Sequence, residues 1–244
     1  MENPVIIALD FENADKAKEF LSSFEGRSPY VKVGMELFYA EGPSFIKWLK
    51  ERNFRIFLDL KLHDIPTTVH KAMKVLGGLK VDIVNVHAAG GTAMLKAAKE
   101  GLLAAGAHHT KLIAVTQLTS TTEKVLSDEL LIKDTSLNDC VAHYAKLAKD
   151  SGLDGVVCSV QEANSIKKIC GDDFLTVTPG IRPQGADTHD QARIATPAEA
   201  ARMGSDFMVI GRSITQSNQP VNTYKEILNE WRESYENNNR KTFA

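Results

Sequence analysis

The feature that most limits what this chain can fold into is an alternation: eight short runs rich in Val, Ile and Leu, most of them followed by a longer stretch with apolar residues at helical spacing. The runs are Val5–Asp10, Tyr30–Gly34, Arg55–Leu60, Asp82–His87, Leu112–Leu118, Asp154–Ser159, Leu175–Pro179 and Asp206–Ile210. Helical patterns lie over Asn13–Phe24, Pro43–Glu51, Thr67–Leu76, Gly91–Ala104, Asn138–Ser151, Val160–Lys168, Pro197–Met203 and Val221–Asn238. Strands with Val and Ile on both faces need cover on both sides, which is the situation of a parallel sheet flanked by helices. Eight β/α units in 244 residues suit a closed (β/α)8 TIM barrel better than an open doubly wound sheet, which uses fewer strands for this length. No Pro-, Gly- or Ser-rich linker interrupts the alternation, so residues 1–244 read as one α/β barrel domain, with the polar stretch 233–244 as a solvated, fraying tail.

Charge then narrows the partners. Lys and Arg number 29 against 31 Asp and Glu, a net charge of -2, so neither nucleic acid nor an anionic membrane is an expected partner and any anionic ligand must be caught locally. The cysteines, Cys140, Cys158 and Cys170, have no C-x-x-C spacing and read as reduced, buried thiols. Apolar runs such as Val5–Leu9 are far short of a membrane span, and Met1-Glu2-Asn3-Pro4 has no basic segment leading into an apolar one. A cytoplasmic protein is expected.

A barrel of this kind carries its reactive groups at the C-terminal ends of the strands. The first run stops on a carboxylate, Asp10. In the second, Lys32 stands between Val31 and Val33, so valines facing the helices send Lys32 into the barrel. In Leu58-Asp59-Leu60-Lys61-Leu62 a period of two puts Asp59 and Lys61 on one face and the leucines on the other. Unpaired ions in such an interior cost several kcal/mol, so this Asp and Lys are paired or have a catalytic use. His63 and Asp64 follow, then Ile65-Pro66, with Pro66 suited to the first turn of a helix. Taken singly, Asp64 could be a helix N-terminal charge, and Asp59 with Lys61 a structural ion pair. Together with Asp10 and Lys32 on neighbouring strands they form a balanced array of carboxylates and ammoniums at one mouth, which points to chemistry.

The last run ends Gly211-Arg212, where many barrels bind phosphate with backbone N–H groups and the start of a short helix. The seventh ends Thr178-Pro179-Gly180-Ile181-Arg182, and the long polar connection Pro183–Arg193, with Asp187, His189, Asp190 and Gln191, reads as a lid or as a surface loop. His87 ends the fourth run and suits either a ligand-binding or base role or a structural one. His63 and His70 have no third ligand in register, so no metal site is expected. Nucleotide-loop, zincin and nucleophile-elbow motifs are missing.

Asp59-Leu60-Lys61-Leu62-His63-Asp64-Ile65-Pro66 resembles the D-x-K-x-x-D-I signature of the orotidine 5′-monophosphate decarboxylase family. Leu9-Asp10, Val31-Lys32-Val33-Gly34, Val86-His87-Ala88, Thr116-Gln117-Leu118-Thr119-Ser120, Thr178-Pro179-Gly180-Ile181-Arg182 and Gly211-Arg212 resemble further family segments in order, with the wording of its bacterial group. The resemblance implies conversion of orotidine 5′-monophosphate to uridine 5′-monophosphate and CO2 in pyrimidine synthesis, with neither metal nor organic cofactor. It implies that Lys61 gives the proton to C6 and that Asp59 holds it in a charge network with Lys32 and Asp64. Asp64 is implied to enter the site of the other subunit of a homodimer. By the same resemblance Asp10 and Lys32 hold ribose hydroxyls, and Thr119 lies along the pyrimidine with Ser120 near it. Gln191, Gly211 and Arg212 grip the phosphate with Arg182 nearby, and Ile65 and Pro179 line the apolar pocket for the departing carboxylate. Two rivals are a magnesium-dependent sugar-phosphate decarboxylase or aldolase with the same D-x-K-x-x-D frame, and a silent phosphate-binding barrel. Lys32 stands where the former carries an acidic metal ligand, and a silent barrel has no use for five clustered charges.

Overall fold

A computed structural model describes residues 3–183 and 194–242. Eight parallel strands, β1 (Val5–Ala8), β2 (Tyr30–Gly34), β3 (Arg55–Leu62), β4 (Ile83–His87), β5 (Lys111–Val115), β6 (Gly155–Val157), β7 (Leu175–Thr178) and β8 (Phe207–Ile210), pair in sequence order. The sheet closes where Ile6 lies opposite Val209, so the expected barrel is the fold. Around it run α1 (Ala14–Ser22), α2 (Met35–Glu51), α3 (Pro66–Gly77), α4 (Gly91–Ala104), α5 (Leu137–Asp150), α6 (Val160–Cys170), α7 (Pro197–Arg202), the short α8 (Arg212–Thr215) and α9 (Pro220–Thr242). The polar stretch from 233 to 242, expected as a fraying tail, continues α9 as helix.

Period-two alternation sorts the strand side chains into two cores. Ile6, Tyr30, Phe57, Ile83, Ile113, Val177 and Phe207 fill the barrel interior, while their neighbours Ile7, Val31, Val33, Leu58, Val84 and Leu112 pack under the helices. Helix starts follow local chemistry: the Asn13 side chain caps α1, Pro66 occupies the first turn of α3, and Ser159–Glu162 and Thr196–Glu199 form reciprocal caps on α6 and α7. Helix α2 begins eight residues before the expected Pro43, because two helical segments are joined across Gly42, whose φ of 63° is left-handed. The strands are generally shorter at the mouth than expected. Asp10, Gln117 and Pro179 lie past the last ladder residue and are thus free to line an opening.

The floor of the barrel repeats one device three times among the described residues. An aspartate just before β4, β6 and β8 accepts the backbone N–H of the second residue of the preceding strand: Asp82 from Ile56 at 2.8 Å, Asp154 from Leu112 at 2.9 Å and Asp206 from Thr176 at 2.7 Å. Each carboxylate also meets a lysine from the helix before that strand: Lys50 at 3.5 Å, Lys99 at 2.9 Å and Lys167 at 2.6 Å. These clamps sit at the end remote from the mouth and hold strand to helix, a stability role.

Candidate active site

The C-terminal ends of the strands surround a cavity of about 670 Å³. Its charged wall comes from β1 to β3. Lys32 is buried, its side chain pointing inward from between two outward valines, and its Nζ lies 3.0 Å from Asp10 Oδ1 and 3.5 Å from Asp59 Oδ2. Asp59 is also buried, and its Oδ1 accepts Lys61 Nζ at 2.7 Å. The result is a chain of alternating charge, Asp10–Lys32–Asp59–Lys61, on one side of the cavity. Gly34 leaves room for it, since a Cβ there would come within 3.1 Å of Lys32 Nζ.

The pairing outweighs desolvation. Burial alone would lower the Lys32 ammonium's affinity for its proton, but the Asp59 and Asp10 carboxylates hold its pKa above the ordinary lysine value. Burial likewise pushes the Asp59 carboxyl up, but Lys32, Lys61 and the hydrogen bonds from Lys61 and Asn85 hold it below the usual carboxylate range. Lys32 and Asp59 are therefore both charged near neutral pH, and an anion entering the cavity meets a fixed ammonium. His87, half-buried with its ring centroid 5.6 Å from that of His63, is lowered by burial and by the nearby His63 and Lys61, so it favours its neutral form.

Lys61 is placed by an irregular backbone. The β3–β4 register shifts between Leu58 and Leu62, and Lys61 adopts φ 51°, an uncommon conformation for a residue with a side chain. Its N–H, lost to the ladder, is taken by Asn85 Oδ1 at 2.8 Å, and Asn85 Nδ2 donates to Asp59 Oδ1 at 2.7 Å. Asn85 escaped the sequence reading because a neutral amide among valines carries no charge signal. Its position two residues after the inward Ile83 was the available clue.

The rest of the wall brings together several residues that the sequence singled out. Thr119, Pro179, Arg182, Gly211 and Arg212 all line the cavity together with Asp10, Lys32, Asp59 and Lys61. Gly211 precedes α8, whose first residue is Arg212. Arg182 is buried, with one guanidinium N–H on the Ile181 carbonyl at 2.8 Å. Phe11, Gln117 and Cys158 line the cavity as well, unassigned by sequence; Cys140, Cys158 and Cys170 are buried. Asp64 and Ile65 are not brought to this cavity: both are exposed, and Asp64 Oδ1 accepts the Ile65 N–H. Gln191 and most of the expected lid, residues 184–193, lie outside the described residues. Among the described residues no group of three or more His, Cys, Asp or Glu is placed to hold a metal ion, and no helix is long and apolar enough to cross a membrane.

Comparison with known proteins gives the same picture. Residues 3–227 match the family model described as "Orotidine 5'-phosphate decarboxylase / HUMPS family". A protein of Bacillus cereus named orotidine 5'-phosphate decarboxylase is 53% identical over 234 residues, covering 95% of this chain and 98% of that one. One of the same name from Bacillus cytotoxicus is equally similar, 53% over 234 residues with the same coverage. The crystal structure of orotidine 5'-phosphate decarboxylase from Lactobacillus acidophilus superposes with a TM-score of 0.84 at 44% identity, over 94% of this chain and 99% of that one. An uncharacterized conserved protein from Geobacillus kaustophilus superposes equally well, at 50% identity over 93% of this chain and 100% of that one.

Proposed function

The chain belongs to the orotidine 5'-phosphate decarboxylase / HUMPS family, and we propose that its barrel mouth carries out the decarboxylation with the residues assigned below. The reaction converts orotidine 5′-monophosphate to uridine 5′-monophosphate and CO2. The bond from C6 to the carboxylate breaks, its electron pair stays on C6, and a proton must replace the departing group. Lys61 is the donor of that proton. Its ammonium is fixed in advance on Asp59, so it stabilises negative charge developing at C6 without waiting for water or side chains to reorganise. Having given the proton, it regains one from solvent. Lys32 and Asp10 bind the ribose hydroxyls, with Thr119 beside the base. Pro179, and Ile65 of a neighbouring copy, give the carboxylate apolar surroundings. Arg212, the Gly211 backbone, Arg182 and Gln191 hold the phosphate, and binding energy gained there orders the charged groups at the far end of the substrate.

The single observation that carries this reading is the Asp10–Lys32–Asp59–Lys61 chain of alternating charge at the mouth of the cavity, with Lys32 and Asp59 buried at its centre. Four linked charges on one wall contribute less to stability than apolar side chains could, so their presence there points to chemistry. Lys32 in the middle also counts against a divalent ion there, and so against the magnesium-dependent rival.

Asp64 completes the array from a second copy of the chain. It stands exposed outside the cavity of its own barrel, and Met35, Tyr39 and Ile65, which follow the mouth ends of the paired strands β2 and β3, are 44%, 71% and 66% exposed. Such apolar side chains on one edge fit a contact with another subunit, and a homodimer in the cytoplasm is the resulting assembly. The test is turnover of orotidine 5′-monophosphate in EDTA, followed by loss of pyrimidine absorbance. Undiminished turnover supports the assignment; activity that requires added magnesium, or tight binding of uridine 5′-monophosphate without turnover, overturns it.

A further inference from the structure

Asn85 belongs to none of the charged groups expected from the sequence, yet it touches two of the residues on which the reaction depends. It is almost wholly buried, 1% exposed, and both ends of its amide are engaged. Nδ2, which can only donate, faces the Asp59 carboxylate; Oδ1, which can only accept, faces the Lys61 N–H. Turning the amide over would set donor against donor and acceptor against acceptor, so a single orientation is enforced. Asp59 Oδ1 accepts Lys61 Nζ as well, which closes a ring through Asn85, Asp59 and the whole length of Lys61.

The register shift takes Lys61 out of regular β3–β4 pairing, in a left-handed conformation that a residue with a side chain rarely adopts. There the Asn85 side chain, and not a strand carbonyl, accepts the Lys61 N–H. We propose that Asn85 is a positioning residue for the decarboxylation: its amide locks Asp59 and the Lys61 backbone into one unit and so sets where the Lys61 ammonium stands relative to the reacting carbon. The inference rests on Lys61 as the proton donor.

The charged and titratable groups facing position 85 are Asp59 and Lys61 from β3, with Lys32 on the far side of Asp59. On its own strand there is His87. From β5 its register partner is the uncharged Ile113. A carboxylate introduced at 85 would therefore confront Asp59 directly, and only its protonated form could donate as the amide does.

Asn85→Ala and Asn85→Asp test this, with circular dichroism to confirm folding and full kcat and KM profiles from pH 5 to pH 8. A displacement of about 1 Å at a reacting group can cost on the order of 100-fold. For Asn85→Ala we expect kcat to fall by about tenfold or more, with KM changed by less than about threefold, since the residue does not touch the cavity. For Asn85→Asp we expect kcat to be highest at the acid end and to fall as pH rises, through an ionisation the wild type lacks. A kcat for Asn85→Ala within about threefold of wild type, a loss no larger than its loss of folded protein, or an Asn85→Asp profile parallel to the wild type, would overturn the role of Asn85 alone. A wild-type protein without turnover would overturn the proposed function itself and this role with it.

Discussion

Replacing Asp59 by Asn removes one negative charge from between two ammoniums and keeps the shape of the side chain. Lys32 Nζ, 3.5 Å from Asp59 in a side chain only 11% exposed, is then left with Asp10 alone, a carboxylate 63% exposed. Removing one partner of a buried pair costs about 3–5 kcal/mol. The lysine can escape part of this by releasing its proton. From an ordinary pKa of 10.5 that escape costs about 4.8 kcal/mol at pH 7, which caps the penalty from Lys32. Once the folded-state pKa of Lys32 is depressed, the unfolded chain binds more protons than the native one, and stability rises with pH by up to about 1.4 kcal/mol per unit toward 10.5. In the wild type the Lys32 pKa is raised, so its contribution is fully present below 10.5 and is lost only above it. Urea unfolding of both proteins at pH 7, 8.5 and 10 should thus show a deficit of about 3–5 kcal/mol that narrows steadily as pH rises. A deficit below about 1 kcal/mol at pH 7, or one that stays constant to pH 10, would refute the argument that charge pairing pays for burying Lys32.

Other expectations concern different parts of the molecule. Asp206→Ala strips Lys167 and the Thr176 N–H of a shared partner at the barrel floor and should cost about 3 kcal/mol in urea unfolding while kcat/KM of the folded enzyme stays within about twofold. Asp59 and Asp154 both have folded pKa values below the ordinary 3.8, so the stability they contribute is present above 3.8 and declines as pH falls below it; urea unfolding should show stability falling with each step down in pH below about 4, and a stability independent of pH there would contradict it. Arg212→Ala should lower kcat/KM by about 100-fold or more and weaken inorganic phosphate as an inhibitor, and unchanged inhibition would remove Arg212 from the phosphate site. Mixing inactive Lys61→Ala and Asp64→Asn proteins should restore roughly a quarter of wild-type activity if sites form across a dimer, and none if each barrel is self-sufficient.

The sequence displayed the barrel because its strands are apolar on both faces and end at polar loops, and the inward direction of Lys32 followed from its two valine neighbours. Asp59 and Lys61 share the cavity as alternation required, although the bulge that delivers Lys61 had no sequence signature: Asp-Leu-Lys-Leu reads as plain strand. Strand ends were overshot at Asp10 and Leu118 because apolar pattern continues past the point where the closing barrel drops the ladder. The first segment of α2 was missed; Gly42-Pro43 reads as a helix start and does open the second segment, Gly42 being the non-helical residue between the two. The floor clamps needed three-dimensional pairing to be seen, since each joins an aspartate to a lysine from the helix that lies before the preceding strand. Asp64 and Ile65 illustrate a limit of another kind. Their proposed use depends on a second chain, which no periodicity within one chain can reveal.

The central claim is that a lysine held in advance on Asp59 supplies the proton to C6. It is tested most directly by following turnover of orotidine 5′-monophosphate in deuterated buffer with wild type and Lys61→Ala at equal nucleotide occupancy, reading C6 of the product by nuclear magnetic resonance. The account predicts rapid formation of uridine 5′-monophosphate carrying deuterium at C6 in the wild type, and a loss of many orders of magnitude in the folded, nucleotide-binding variant. Comparable turnover by Lys61→Ala would contradict it.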